Sequence, residues 1–324
     1  DMSLHEVIQK TVKLILMGCV ILMLLVATGH PMPAAAQTVT PFDFRDHPVH
    51  VIASYYNAIT LQDYGRAYGY WDDTPPGGAT YQQLTQGFAN VQGVRVLARL
   101  PVTVDVAAGT AHAEVPVNVL VTQKTGNAQI FAGCFHVVQH NAPVGNPPTV
   151  DPSWYLHSAS LGLVATVDFA QAADACSTVR SFPTGLGIDN QQTPLDLLSS
   201  YYDAIAARNY TRAYQYWPGG VPGKTQEQFA QGFATTDNVG VVVALPFRSG
   251  VAAGSAYTSM PLLITSTDSG QWQLYVGCIT ARKSNVPVGN TSTPDPNWYL
   301  SRADIRPAGT MEVGVQQVWS ACSE

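Results

Sequence analysis

The chain has 324 residues, of which 46% are hydrophobic and 12% charged, and intrinsic disorder is excluded because it requires low hydrophobicity and high charge. The formal net charge is −6, so the basic surface on which nucleic-acid binding depends is not expected. The length suits two ordinary domains, since one domain usually takes about 100–200 residues.

The N-terminal region has the layout of a secretory signal peptide. Two lysines precede an apolar run over Leu14–Ala27, and small residues follow it. This order defines a signal peptide, and the run is shorter than the ~20 residues that span a bilayer. We predict cleavage after Ala36, with 1–36 as the signal peptide and 37–48 as an N-terminal extension. An uncleaved anchor, the only membrane contact we expect, is the alternative. The protein is accordingly expected to be secreted or to lie on the extracellular face of the membrane.

Removal of the signal peptide takes away Cys19 and leaves four cysteines in two pairs of nearly equal spacing. An even number of cysteines in a secreted chain predicts disulfides. The repeated spacing selects Cys134–Cys176 and Cys278–Cys322. A zinc site built from all four is the rival interpretation, and the lack of a Cys-x-x-Cys pair disfavours it.

The chain contains one segment twice. Ser54–Ile59 reads Ser-Tyr-Tyr-Asn-Ala-Ile, and Ser200–Ile205 reads Ser-Tyr-Tyr-Asp-Ala-Ile. Gln-Gly-Phe-Ala, Gly-Cys and Asp-Pro-x-Trp-Tyr-Leu also occur once in each half. Such internal similarity indicates a repeated unit. We place the first repeat at 49–176, a linker at 177–194 and the second repeat at 195–324.

Each repeat begins with the spacing of amphipathic helices. Ile52, Tyr55, Tyr56 and Ile59 fall on one helical face, and the Tyr-x-x-Ala-Tyr-x-x-Trp segment that starts at Tyr64 repeats the pattern. A third helix is predicted in each repeat from two capping-box signals. These signals are Thr80 with Gln83 and Thr225 with Gln228.

The rest of each repeat alternates apolar and polar residues with period two, which is typical of half-buried strands. In the first repeat this pattern covers 94–100 and three further runs at 110–123, 128–140 and 153–164. An antiparallel sheet with one solvent-exposed face must bury its other face, and the helices pack against that face. We therefore predict an α+β fold in which three N-terminal helices pack on a curved four-stranded antiparallel sheet in each repeat.

These elements resemble the nuclear-transport-factor-two-like superfamily, in which a curved sheet forms a cone around three helices. The resemblance rests on the double-tyrosine helix, on Tyr64–Trp71 and Tyr210–Trp217, and on the Gln-Gly-Phe-Ala segments. It implies two tandem cone-like domains, most similar to secreted bacterial members of unknown function. The superfamily also includes isomerases, cyclases and dehydratases, so the fold alone does not transfer a function.

Ten aromatic residues are candidates for lining a pocket inside the cones, because small-molecule sites are mostly apolar with a few polar groups. The alternative is that the same rings fill the core between helices and sheet. The ten are Tyr56, Tyr68, Trp71, Phe88, Trp154, Tyr202, Tyr214, Trp217, Phe233 and Trp298.

Few charged positions are shared by the repeats. Arg66 and Arg212 lie on the second helix, where we expect their side chains to snorkel or to form ion pairs at the edge of the cone. Asp151 and Asp295 precede proline, where an Asx-turn is the default explanation. No residue is assigned a catalytic role.

Histidines occur on the strands of the first repeat only. His136 and His140 share a strand face, and His112 is predicted to lie opposite Gln139 or His140, with Glu114 on its own face. These side chains are candidate metal ligands, and solvent-facing histidines are the alternative that we favour. We expect no metal and no cofactor.

Two loops exceed what a hairpin connection needs. They span 141–154 and 285–298, and both carry Pro-Val-Gly-Asn. Stiff surface loops are the simpler interpretation; contact of the tips at 147–149 and 291–293 with an envelope polymer or another extracellular protein is the functional one.

Two functions remain open at this stage. The first is a secreted or cell-surface, non-catalytic binding module, with a small apolar ligand or an extracellular protein or polymer as partner. The second is a small-molecule enzyme of the isomerase, cyclase or dehydratase type that uses a pocket inside the cone. An ionisable residue buried beside Tyr56 or Tyr202 would favour the enzyme, and a cone filled by aromatic side chains would favour the module.

Overall fold

The structure is a computed structural model that describes residues 40–72, 78–107, 109–141, 150–176, 186–286 and 293–323. The predicted signal peptide and the loop tips at 147–149 and 291–292 lie outside these residues. Within the part described, no helix is both long and apolar enough to cross a membrane.

The two repeats contain the same elements in the same order. The first has α1 (Pro48–Thr60), α2 (Tyr64–Tyr68), α3 (Tyr81–Phe88), β1 (Val91–Leu100), β2 (Val104–Ala107), β3 (Thr110–Gln123), β4 (Ala128–His140), β5 (Trp154–Val164) and α4 (Phe169–Asp174). The second has α5 (Pro194–Ala206), α6 (Tyr210–Gln215), α7 (Gln226–Gly232), β6 (Thr236–Leu245), β7 (Arg248–Ala252), β8 (Ser255–Asp268), β9 (Gln271–Ser284), β10 (Tyr299–Pro307) and α8 (Met311–Val318).

Both predicted capping boxes are confirmed. The Thr80 hydroxyl accepts from the backbone N–H of Gln83, and the Gln83 side chain accepts from the backbone N–H of Thr80. Thr225 and Gln228 make the same two hydrogen bonds at the start of α7. These bonds satisfy N–H groups that the first turn of a helix leaves without partners.

The serine that opens each Ser-Tyr-Tyr motif fixes the segment before the helix. The Ser54 hydroxyl bonds the backbone N–H and the carbonyl of Phe44, and the Ser200 hydroxyl does the same to Asn190. The Tyr70 hydroxyl donates to Asp43 at 2.5 Å, as that of Tyr216 donates to Asp189 at 2.8 Å. The residues directly before α1 and α5 therefore pack on their repeats in the same way.

The ten strands of the described residues form one continuous antiparallel sheet. The order is β10-β9-β8-β6-β1-β3-β4-β5, with β2 paired to β3 and β7 paired to β8. The two repeats meet where β1 pairs with β6. This corrects the prediction of a separate four-stranded sheet in each repeat. Each repeat contributes five strands, and β2 and β7 are exposed along their whole length, so they lack the alternation that would have predicted them.

A terminal helix in each repeat covers the face of the sheet opposite to α1 and α5. Cys134 on β4 is bonded to Cys176, which follows α4, and Cys278 on β9 is bonded to Cys322, which follows α8. Both predicted disulfides are thus confirmed, and each ties the terminal helix to its own repeat. The helices were not predicted, although Asp168 and Thr310 cap them in the usual way.

Candidate functional site

Aromatic rings fill the space between α1 and the sheet in the first repeat. The ring of Tyr55 lies 4.9 Å from that of Tyr56 and 5.7 Å from that of Trp71, and the Tyr56 ring lies 6.0 Å from Phe135. These distances are typical of packed aromatic pairs. Burial raises the pKa of Tyr56 well above its usual value, so its hydroxyl stays protonated.

The second repeat has the same packing. The ring of Tyr201 lies 4.9 Å from that of Tyr202 and 6.3 Å from that of Trp217. A cavity of about 10 Å³ lies beside Tyr202, which is the size of a single water molecule. A small-molecule ligand does not fit there.

The ten predicted pocket residues all belong to the main hydrophobic core or pack against it. Tyr202 borders the 10 Å³ cavity, and Trp298 borders a second pocket of about 320 Å³. The others that are buried in the core are Tyr56, Trp71, Trp154 and Trp217, and the partly buried ones are Tyr68, Phe88, Tyr214 and Phe233.

Asp203 is the ionisable residue that lies buried beside Tyr202. Its carboxylate accepts hydrogen bonds from the backbone N–H groups of Leu186, Gly187 and Ile188 and from the Arg212 guanidinium at 2.7 Å. These bonds occupy both oxygens, so the carboxylate holds residues 186–188 on the repeat and is not available as a base. In the first repeat the amide oxygen of Asn57 replaces it and accepts from the guanidinium of Arg66. Each arginine thus has a side-chain partner in its own repeat, as predicted: Arg66 pairs with Asn57 and Arg212 with Asp203.

Asp151 and Asp295 form the predicted Asx-turns. Asp151 accepts from the backbone N–H of Ser153, and Asp295 accepts from that of Asn297. Each also accepts from a tyrosine hydroxyl, Tyr155 at 2.6 Å and Tyr299 at 2.8 Å. The hydrogen bond from Tyr155 is the main reason that the pKa of Asp151 is lowered.

A pocket of about 320 Å³ lies between the repeats, within the range of small-molecule sites. The first repeat contributes residues before and within α1, and the second contributes α5, the β7–β8 hairpin and the entry to β10. We call it the inter-repeat pocket. Its lining consists of Phe42, Phe44, Asp46, His50, Pro194, Phe247, Ser249, Gly250, Val251, Ala256, Tyr257, Thr258 and Trp298.

Rings from both repeats pack edge to face and form one wall of the inter-repeat pocket. The Phe42 ring lies 5.7 Å from Phe247 and 4.8 Å from Phe44, and the His50 ring lies 5.4 Å from Phe247. The His50 side chain is buried, and its Nδ1 lies 2.6 Å from a carboxylate oxygen of Asp46. Its Nε2 is also buried and has no hydrogen-bond partner among the described residues.

Ionisable groups of the two repeats meet at the start of α1 and α5. His47 caps α1 by accepting the backbone N–H of Val49 on its Nδ1, and its Nε2 lies 3.9 Å from a carboxylate oxygen of Asp196. Burial, assisted by the nearby His50, lowers the pKa of His47 to about 3. Burial raises the pKa of Asp196, against the hydrogen bonds from Thr193. His47 is therefore neutral near neutral pH.

Three histidines lie together on neighbouring strands of the first repeat: His112 on β3, His136 on β4 and His157 on β5. Nδ1 of His112 lies 3.2 Å from Nε2 of His136, and the rings of His136 and His157 are 5.0 Å apart. Nδ1 of His157 lies 2.9 Å from a carboxylate oxygen of Asp72. We call His112, His136, His157 and Asp72 the histidine cluster.

The strand register differs from the one predicted for these histidines. His112 lies opposite Val138, and Glu114 lies opposite His136, so the predicted pairing of His112 with Gln139 or His140 is wrong by one or two residues. His140 instead lies beside the ring of Tyr155. His157 was not among the histidines singled out in the sequence. A β-bulge between His136 and Val137 inserts His157 as an extra residue and turns it toward His136.

No protein-family model and no curated protein matches the chain. Among solved structures, it is similar to one described as a scytalone dehydratase of Novosphingobium aromaticivorans, at a TM-score of 0.27 and 13% identity over 37% of this chain and 84% of that one. It is also similar to an Ntf2-like protein involved in plasmid conjugation, at a TM-score of 0.19 and 11% identity over 82% of this chain and 96% of that one.

Proposed function

We propose that the protein is a secreted or cell-surface binding module, made of two related nuclear-transport-factor-two-like repeats, that holds a small apolar ligand between them. The observation that carries the proposal is the contrast between the sites. Aromatic side chains occupy the space inside each repeat. The cavity beside Tyr202, which Leu100 and Pro101 of the first repeat also line, measures about 10 Å³. The inter-repeat pocket measures about 320 Å³ and is lined mainly by rings and aliphatic side chains.

Two intra-repeat disulfides support an oxidising, extracellular location. Cys134–Cys176 and Cys278–Cys322 are both formed, and structural disulfides persist in extracellular and periplasmic compartments. Secretion itself is part of the proposal and rests on the predicted signal peptide at 1–36.

The lining of the inter-repeat pocket indicates a neutral ligand. Phe42, Phe247 and Trp298 offer apolar contacts, and the hydroxyls of Ser249 and Thr258 offer a few polar ones. Asp46 is the charged residue of the lining, and no lysine or arginine is among the lining residues. An anionic ligand would therefore lack a cationic partner, whereas a neutral aromatic or aliphatic molecule with one hydroxyl or carbonyl would satisfy the site.

Gly250 allows the pocket to be filled without disturbing the fold. It lines the pocket opposite Tyr257 on the neighbouring strand, and a Cβ added to it meets no atom within 4 Å. Gly250→Trp should therefore occupy the pocket. Asp105→Trp is the matched control, because Asp105 has the same position on the exposed β2 of the first repeat.

The test is a fluorescence titration with the neutral apolar probe N-phenyl-1-naphthylamine. We expect one saturable site in the natural chain and in Asp105→Trp, and at least a tenfold loss of affinity in Gly250→Trp. Absence of saturable binding in the natural chain, or equal affinity in Gly250→Trp, would refute the inter-repeat pocket as the ligand site.

An isomerase, cyclase or dehydratase is the second candidate, because His50 and Asp46 form the hydrogen-bonded pair that a general base requires. They lie on the wall of the inter-repeat pocket rather than inside a cone. If the protein is such an enzyme, His50→Asn should abolish turnover of a compound that binds there while leaving the affinity for the probe within about twofold. Turnover that survives His50→Asn would remove this candidate.

A further inference from the structure

We propose that the histidine cluster binds one divalent transition-metal ion, with His112, His136 and His157 as ligands and Asp72 as the positioning residue. Imidazole nitrogen is the ligand type that zinc, copper and nickel prefer in proteins. None of the four residues lines the inter-repeat pocket, so the proposal stands independently of the proposed function.

The first two ligands are already at the required separation. Nδ1 of His112 and Nε2 of His136 lie 3.2 Å apart. Two nitrogens bound to one zinc ion at about 2.0–2.1 Å in tetrahedral geometry lie about 3.3–3.4 Å apart. Each ring would carry its proton on the other nitrogen, so both lone pairs would face the ion.

The third ligand has the support that metal-bound histidines usually have. Nδ1 of His157 faces the Asp72 carboxylate at 2.9 Å, and this contact leaves Nε2 as the ligand atom. A histidine that binds a metal typically donates its other N–H to a carboxylate, which fixes the tautomer and the ring. The Asp72 side chain is 10% exposed, and its second oxygen is buried without a partner among the residues described.

His157 must turn to complete the site. Among the described residues, Glu114, Cys134 and Cys176 form the group whose ligand atoms all lie within 4.8 Å of one another, and its two sulfurs are joined in a disulfide. The ligand atoms of the histidine cluster do not all lie within that distance of one another. His157 sits on the β-bulge and its side chain is 48% exposed, so its ring has room to rotate toward His112 and His136.

The second repeat supplies an internal negative comparison. Tyr257, Thr280 and Ser301 occupy the positions of His112, His136 and His157, with Ser301 on the matching bulge. The Thr280 hydroxyl bonds that of Ser259 at 3.0 Å. No imidazole is present at these three positions, so the chain should bind one ion and not two.

The test uses the full mature chain without a histidine tag, with Zn²⁺ in calorimetry and Co²⁺ as a spectroscopic probe. We expect one Zn²⁺ per chain and the visible absorption of tetrahedral Co²⁺. His136→Asn and His112→Asn should each weaken binding more than 100-fold, and His157→Asn at least tenfold. Asp72→Asn should weaken it by about 10–100-fold, the range for residues that orient a metal-bound histidine.

His140→Asn is the matched control, because His140 lies on the same strand but beside Tyr155, and it should leave the affinity unchanged. Melting temperatures measured with EDTA show whether each variant is folded. A natural chain that binds no Zn²⁺ saturably would overturn the proposal. So would a folded His136→Asn that binds Zn²⁺ as the natural chain does.

Discussion

Ala98 of β1 pairs directly with Val243 of β6, its own counterpart in the second repeat. Each lies two residues before the leucine that ends its strand, Leu100 and Leu245. A residue that pairs with its counterpart across an antiparallel ladder lies on a local two-fold axis, as at the interface of a symmetric dimer. The two repeats are thus related as the subunits of a dimer whose partners are covalently joined.

The pairing of β1 with β6, which we call the seam, predicts that the two repeats stay together when the chain is cut. A protease site inserted between residues 180 and 181 should give two fragments that elute as one complex in size-exclusion chromatography, because β1 and β6 form a continuous ladder of buried residues. Fragments that separate as well-behaved monomers would contradict the shared sheet. Uncut protein carrying the same insertion is the control.

Trp71 and Trp217 should be essential to the stability of their repeats. Each is 6% exposed, and truncation of a large buried aromatic residue costs about 3–5 kcal/mol. We expect Trp71→Ala and Trp217→Ala to lower the free energy of unfolding in urea by that amount. Trp272→Ala should cost less than about 1 kcal/mol, because that ring is 53% exposed. Equal costs for all three would show that the buried rings are not anchors.

Asp203→Ala should be strongly destabilising. It would leave the Arg212 guanidinium without its 2.7 Å partner and remove the acceptor of three backbone N–H groups. Loss of one member of a buried ion pair costs about 3–5 kcal/mol. Asp203→Asn should cost less, because Asn57 fills this role in the first repeat. Denaturant unfolding of the two variants measures the difference, and equal costs would argue against the hydrogen-bonding role.

Stability should fall with acid partly because of His47. Its pKa is lowered to about 3 in the folded chain, against about 6.5 in an unfolded one. Between these values the unfolded chain binds more protons, so stability declines as the pH drops below about 6.5 and the loss is complete below about 3. At ~1.4 kcal/mol per pH unit, the contribution between pH 7 and pH 4 is about 3 kcal/mol.

His47→Asn isolates this contribution, because asparagine keeps the N-cap of α1 but does not titrate. Unfolding by urea at pH 7 and pH 4 should show a smaller acid loss in the variant than in the natural chain. The same loss in both proteins would mean that other groups, such as Asp46 and Asp151, account for all of the acid sensitivity.

Much of the fold could be predicted because it depends on local sequence patterns, and because each pattern occurs once in each repeat. The helical spacing, the capping boxes at Thr80 and Thr225 and the run at 110–123 all depend on near neighbours in the chain, and both disulfide pairings followed from their repeated spacing. The β1–β6 seam could not be predicted in this way. The residues on both sides of it are apolar, and nothing local distinguishes a strand that pairs within its repeat from one that pairs across repeats.

The candidate sites were harder to predict for the same reason. The inter-repeat pocket brings His50 and Phe247 together across the seam, and no pattern within one repeat contains both. His157 lies beside His136 at a one-residue bulge, and the sequence does not reveal where a bulge interrupts a strand. The sequence did indicate the histidines, because the strands of the first repeat contain them and those of the second do not.

The shared sheet also has a consequence for biogenesis. A ribosome makes β1 long before β6, and until residues 236–245 have emerged, β1 is an unprotected edge strand of apolar residues. Such edges are templates for aggregation. The first half of the chain should therefore depend on holdase chaperones until its other half arrives, even though each half closes its own disulfide.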